Sequence, residues 1–253
     1  MELKDQIVLV SGASRGLGRE IARAFSREGA RVIVNYFNSA EQAESLVQEL
    51  GDKAVAFRAD VRDDGQVKNL FEQAKAHFGS PVTTIVNNAL VSFKFDPVKN
   101  KDAFAIRWED YLQQLEGAVK ASLYTVQAGL DDMKEQKFGR IINIGTNLVQ
   151  HPVVPYHDYT TSKAALLGFT RNMAADLGKY GITVNMVSGG LLKTTGASAA
   201  TSDEVFELIK ASTPLRRVTA PSEMADAVLF FASPWSRAVT GQNIMADGGL
   251  VMN

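Results

Sequence analysis

Tyr159 and Lys163 stand one helical turn apart, so that in a helix both side chains leave the same face. The run Ala164, Ala165, Leu166, Leu167 that follows, with Pro155 just upstream, supports a helix here. A phenol beside an ammonium suggests acid catalysis. Free tyrosine titrates near pH ~10, about three units too high to act near neutrality, so its phenolate needs roughly 4 kcal/mol of stabilisation. A cation about 5 Å away supplies roughly 3 kcal/mol at an effective dielectric of ~20, but under ~1 kcal/mol in bulk water. The pair therefore makes chemical sense only in a dry cleft. Alone, Y-x-x-x-K equally fits a surface tyrosine packed on a lysine stem, and the surrounding elements must decide.

A second set of residues comes from the start of the chain. Residues 7–11 read as a short buried strand, and SGASRGLG follows directly, leading into a helix with Leu17, Ile21 and Phe25 at every fourth position and Gly29 as its end. Gly12, Gly16 and Gly18 thus lie between a strand and a helix, with Ser14, Arg15 and Leu17 in the same loop. Missing side chains there let backbone amides and the helix N-terminus approach a pyrophosphate. The spacing is G-x-x-x-G-x-G rather than G-x-G-x-x-G, so the structural context carries this reading, not the generic fingerprint. Near the end of the second strand an NAD enzyme places an acid on the ribose 2'-hydroxyl. Asn35 occupies that place. With no carboxylate there and Arg15 in the loop, a 2'-phosphate is tolerated and paired, so NADP is expected in preference to NAD.

The elements that position these groups alternate along the whole chain. Strands are expected at 7–11, 31–36, 54–60, 83–89, 140–145, 182–188 and 243–246, separated by helices at 40–50, 64–78, about 107–136, 158–179, 203–212 and 221–232. Seven continuously apolar strands interleaved with helices imply a parallel sheet covered on both faces, the doubly wound α/β class, in one domain of 253 residues. A small polar segment, roughly 191–213, is expected to cover the substrate.

Composition excludes several alternatives. There is no Cys, which removes thiol nucleophiles and cysteine metal sites and fits a reducing compartment such as the cytoplasm. His77, His151 and His157 show no ligand spacing, so no metal is expected. The net charge of -1 comes from interspersed acids and bases, which leaves no basic footprint for nucleic acid or anionic lipid. MELKDQIVLV lacks the apolar core of a signal peptide, and no apolar run approaches the ~18 residues of a membrane span.

SGASRGLG, Asp60 with Val61 after the third strand, Asn87-Asn88-Ala89, and Tyr159 with Lys163, in this order, resemble the short-chain dehydrogenase/reductase family, whose fold is of the Rossmann type. The similarity reaches the last residues, where PLRRVTAPSEMADAVLFFASPWSRAVTGQNIMADGG resembles the C-terminal segment of 3-oxoacyl-[acyl-carrier-protein] reductases. The resemblance implies that Tyr159 protonates a substrate carbonyl oxygen as the nicotinamide delivers hydride, that Lys163 lowers the tyrosine pKa and holds the nicotinamide ribose, and that Thr146 replaces the usual serine on the substrate oxygen. It also implies adenine contacts at Asp60 and Val61, ribose contacts at Asn88 and Ala89, and a nicotinamide loop with Gly190, Leu192 and Thr194.

Three positions depart from the family pattern. Leu90 replaces a glycine after Ala89, Ala118 stands where an asparagine usually holds a proton-relaying water, and Gly189 replaces a proline. Val153, Val154 and Tyr156 are expected to line the substrate pocket. The resemblance further implies a tetramer packed through the helices at 107–136 and 158–179, with Leu166, Phe169 and Met173 as candidates for the seam. Docking of an acyl carrier protein would use Lys137 and the place of Tyr180, with Lys179 as a substitute. The leading expectation is an NADP-dependent reductase of 3-oxoacyl thioesters. A reductase of another small ketone, sugar or steroid-like alcohol, and a nucleotide-binding regulator on an inactive reductase fold, remain open beside it.

Overall fold

The computed structural model describes residues 1–91, 100–193, 195–196, 198–199 and 201–252. Seven strands, β1 (Ile7–Val10), β2 (Arg31–Tyr36), β3 (Ala54–Arg58), β4 (Thr84–Asn87), β5 (Gly139–Thr146), β6 (Ile182–Gly189) and β7 (Asn243–Ala246), form one sheet. All neighbouring pairs are parallel, in the order β3-β2-β1-β4-β5-β6-β7. The order reverses between β1 and β4, and at such a switch point a crevice opens outside the carboxyl ends of the strands. Helices α1 (Gly16–Arg27), α2 (Ala40–Leu50), α3 (Asp64–Phe78), α4 (Trp108–Leu115), α5 (Ala121–Gln136), α6 (His157–Leu177), α7 (Asp203–Ser212) and α8 (Pro221–Ala232) complete the chain.

The apolar strands have no solvent face because each side has its own core. Val8 and Val10 of β1 pack with Ile21, Phe25, Leu46, Val228 and Phe231, whereas Ile7 and Leu9 pack with Leu70, Phe71, Met133 and Ile141. Strand alternation thus directs one sequence into two cores, which a mixed hydrophobic and polar strand could not do.

Two expected boundaries shift for identifiable reasons. The strand expected at 83–89 ends at Asn87, because Asn88 and Ala89 turn their N–H groups onto Ser11 Oγ at 2.9 and 3.0 Å instead of continuing the ladder. The helix expected across 107–136 is interrupted by a π-helical turn at Glu116–Lys120. The turn sits where Val91 presses on Gly117: a Cβ at that glycine would lie 2.8 Å from Val91 Cγ2. Gln114 Nε2 also donates to the Val91 carbonyl at 3.2 Å.

Candidate active site

Thr146 is the last residue of β5, and Tyr159 and Lys163 lie on the first turns of α6, which packs against β5 and β6. All three are about 95% buried. Tyr159 is hydrogen-bonded to Thr146, and it packs with Tyr156 and Leu148 in a small apolar cluster. Lys163 Nζ donates to the Ile144 carbonyl at 2.7 Å and lies 5.8 Å from the centroid of the Tyr159 ring. The burial that the pair requires is present.

The electrostatics differ from the expected lowering of the tyrosine pKa. Burial pushes Tyr159 up to about 12, with the Thr146 hydrogen bond acting in the opposite direction. Burial also brings Lys163 down to about 8. Removing both groups from water disfavours phenolate and ammonium alike. Tyr159 is therefore held as a neutral phenol, the form that can give a proton away, while Lys163 titrates just above neutrality.

The glycine loop is clasped from two sides. Gly12 and Gly16 adopt φ of +62° and +56°. Asn35 Oδ1 accepts the Gly12 N–H at 3.2 Å, and Asn88 Nδ2 donates to the Ser11 and Gly12 carbonyls at 2.9 and 3.2 Å. A Cβ on Gly18 would lie 2.4 Å from the Gly12 oxygen, so that position admits glycine alone without rearrangement. Asn35 is fully committed: its amide nitrogen donates to the Ala59 carbonyl at 3.1 Å and it is buried. Asn35 thus ties the glycine loop to the end of β3. The end of β2 is flanked by Arg58, which pairs in register with Tyr36, donates from Nε to the Phe37 carbonyl at 3.1 Å and covers the Phe37 ring at 5.6 Å. Arg58 was not recognised from the sequence, because only strand register brings it beside β2.

Other expected contacts are placed as follows. The Asp60 carboxylate is taken by Arg62 at 2.7 and 3.0 Å, which holds it below the usual carboxylate range. Val61, Ala89 and Lys163 line one small cavity together with Ser11, Ala118 and Ser122. Its volume of about 10 Å³ suits one water molecule. Ser14 is buried in the loop and Arg15 is exposed at the N-cap of α1. The Leu192 side chain enters the core near Met224, and Gly190 lies beside Asn147 and Asp247. Thr194 lies outside the described residues. Val153 is exposed, whereas Tyr156 is buried with Val154 packed against it and Tyr159. Leu166 faces the interior cavity rather than an outer seam, because it lies on the same side of α6 as Ser162 and Lys163.

A family model described as enoyl-(acyl carrier protein) reductase matches residues 12–251. The chain belongs to the short-chain dehydrogenase/reductase family. It is 34% identical over 247 residues to the 3-oxoacyl-[acyl-carrier-protein] reductase FabG of Staphylococcus aureus strain Mu50, covering 96% of this chain and 97% of that protein. A hydroxynaphthalene reductase-like protein, Arp2, of Metarhizium robertsii is 32% identical, with 98% and 96% covered. A crystal structure of a proposed gluconate dehydrogenase from Agrobacterium tumefaciens superposes with a TM-score of 0.88 at 28% identity, covering 99% of this chain and 98% of that one.

Short-chain dehydrogenase/reductases are oxidoreductases that use NAD or NADP, and the residues of this chain fit such a group. Helix α1 has no acidic residue in its first turn and no side-chain cap from Arg15, which leaves its N–H groups and positive dipole end turned to the crevice. A pyrophosphate is the ligand such an end binds. Among the described residues no three His, Cys, Asp or Glu side chains form a group able to hold a metal, and no helix is long and apolar enough to cross a membrane.

Proposed function

We infer that the protein is an NADPH-dependent carbonyl reductase that converts a ketone to a secondary alcohol, with 3-oxoacyl thioesters as its substrate class. The observation that carries the reading is the buried contact between the Tyr159 and Thr146 hydroxyls with Lys163 behind them. Bound cofactor supplies the hydride. Thr146 hydrogen-bonds the substrate oxygen and Tyr159 gives it a proton, so two O–H groups converge where negative charge develops. Their burial strengthens both interactions, because no water competes for them.

Preference for NADP rests on charge at the end of β2. Residues 36–39 are Tyr, Phe, Asn and Ser, without a carboxylate, and Arg15 and Arg58 supply guanidiniums from the two flanking elements. A doubly charged 2'-phosphate is favoured by that arrangement.

The thioester reading is supported by the relatives named above; a basic surface is also present near the N-terminal ends of β5 and β6, the opposite ends of these strands from Thr146. Lys134 and Lys179 lie 5.0 and 5.1 Å from the Tyr180 ring centroid. Lys137 stands two residues before β5. An acidic carrier protein fits such a patch, although Asp176 at 3.0 Å takes part of the Lys179 charge. A smaller ketone or sugar is the second reading, favoured by that same weakened patch and by the likeness to the proposed gluconate dehydrogenase.

A tetramer is proposed through α4 and α6, which pack side by side. Trp108 and Leu112 are exposed on α4, and Ala164, Ala165, Gly168 and Ala175 are exposed on α6, where small side chains allow a second helix to come close.

Initial rates of NADPH and NADH oxidation with acetoacetyl thioesters of coenzyme A and of acyl carrier protein, beside a polyol-derived ketone and an aryl ketone, test the assignment. Faster turnover of thioesters with NADPH supports it. Turnover confined to the other ketones moves the protein to the second reading, and no turnover of any carbonyl compound overturns both.

A further inference from the structure

The ends of β5, β6 and β7 lie in one row, with Thr146 opposite Gly189 and Gly189 opposite Ala246. One residue further, the chain places Asn147, Gly190 and Asp247 side by side. Asn147 Nδ2 donates to Asp247 Oδ2 at 2.9 Å, and the two residues are 5% and 4% exposed. The bond passes over the middle strand at Gly190, where an added Cβ would meet Asn147 Nδ2 at 3.0 Å and Asp247 Cβ at 3.3 Å. The absence of a side chain at Gly190 is thus what lets its two neighbours meet.

Each end of this bridge holds a different part of the site. The Asn147 carbonyl accepts N–H groups from Gln150 and His151 at 3.1 and 2.9 Å, closing the turn that follows Thr146. The Asp247 carboxylate accepts from Gly249 and Val251 at 3.1 Å each, folding the C-terminal segment. That segment in turn grips the end of α7, since Leu215 N–H donates to the Gly248 carbonyl at 3.2 Å and Gly249 lies against Pro214.

We propose that Asn147 and Asp247 are positioning residues: their buried bond ties the Thr146 turn to the C-terminal segment and, through it, to the end of α7 over the substrate. The assignment rests on the reading of Thr146 as the group on the substrate oxygen. A buried carboxylate supplied only with neutral donors, one of them reaching across a strand, fixes the direction of that reach. Thr146 is the residue next to the anchor, so its hydroxyl moves when the anchor is cut.

The test uses Asn147→Ala, Asn147→Asp and the exchanged pair Asn147→Asp with Asp247→Asn, in the full-length enzyme with NADPH. Asn147→Ala should lower kcat on the order of 10-fold to 10²-fold, the cost of a misplaced reacting group, while NADPH affinity changes by no more than a few-fold because the glycine loop is untouched. Asn147→Asp sets two carboxylates face to face, which cannot both ionise at that distance. Its kcat should recover as pH falls and the pair shares a proton, in contrast to the parent. The exchanged pair restores one donor and one acceptor across the strand, but because Asp247 Oδ2 also accepts the Val251 N–H it gives up that bond, and it should regain only part of the rate lost by Asn147→Asp near pH ~8.

Hydrogen exchange at residues 147–151 and 213–217 reads the bridge without turnover, and should rise in Asn147→Ala and fall back in the exchanged pair. Parent-like kcat in Asn147→Ala overturns the proposal, whether or not exchange rises; so does an Asn147→Asp variant whose kcat does not recover as pH falls. A parent enzyme that turns over no carbonyl compound counts instead against the proposed reaction, and exchange still decides whether the bridge holds the two segments.

Discussion

Thr146 is the residue at which the site departs most simply from a serine hydroxyl. Its oxygen keeps the hydrogen bond to Tyr159 while its methyl restricts the rotamer. Thr146→Ala should lower kcat on the order of 10²-fold, the loss of one oxygen-binding donor, and Thr146→Ser should stay active. An inactive serine variant would show that the methyl has a role of its own. Lys163 gives a pH test. Burial brings it down to about 8, so it is a cation below that pH and neutral above it. A rate that needs the ammonium is then flat on the acid side and declines above about 8, whereas Tyr159, pushed up to about 12, contributes no limb in the same range. The pH profile of kcat/KM, which reports the free enzyme, checks this; a flat profile to pH ~10 would contradict it. Tyr159 and Lys163 were legible in the sequence because helical spacing alone puts them on one face. The use of Asn35 was not, because sequence places a residue along a strand but does not say that its amide is turned under Gly12.

At the scale of elements, the π-helical turn at Glu116–Lys120 is where sequence reasoning fell short. One extra residue in a turn leaves composition unchanged and shifts the apolar pattern by only one position, so 107–136 reads as one helix. The turn presents Ala118 and, four residues on, Ser122, whose hydroxyl donates to the Ala118 carbonyl at 2.7 Å beside the cavity that Lys163 lines. Position 118 itself carries no amide, although Asn87 lines the same cavity. If proton delivery to Lys163 limits reduction, Ala118→Asn should raise kcat or shrink its solvent isotope effect. Both unchanged, in a variant whose new Asn faces Lys163, would mean that the cavity polar groups already suffice. Elsewhere β2 at Arg31–Tyr36, α2 at Ala40–Leu50, α3 at Asp64–Phe78 and α7 at Asp203–Ser212 agree with the expected spans, whereas the strand expected at 54–60 ends at Arg58 and the helix expected at 158–179 ends at Leu177. Where the spans agree, glycines, caps and the apolar period point to the same ends.

For the molecule as a whole, the parallel sheet was legible because apolar strands separated by helices admit no other covering, and the site lies where β1 and β4 part. Of the three residues expected at a seam, Leu166 points inward while Phe169 and Met173 are partly buried against the core, and the exposed faces of α4 and α6 carry the tetramer proposal. Sedimentation at micromolar concentration should show a tetramer, and Gly168→Arg should dissociate it without unfolding, since among the described residues nothing outside the helix's own neighbouring backbone lies within 4 Å of an added Cβ there. A monomer in the parent would remove that proposal. The central claim is that Tyr159 is the proton donor of an NADPH-dependent carbonyl reduction. Tyr159→Phe, assayed by NADPH oxidation with a 3-oxoacyl thioester and by cofactor fluorescence, tests it directly. The variant should bind NADPH nearly as the parent does and lose the 10²-fold to about 10⁴-fold in turnover that a positioned acid contributes. More than a few per cent of the parent rate, roughly the least an acid should supply, would contradict it.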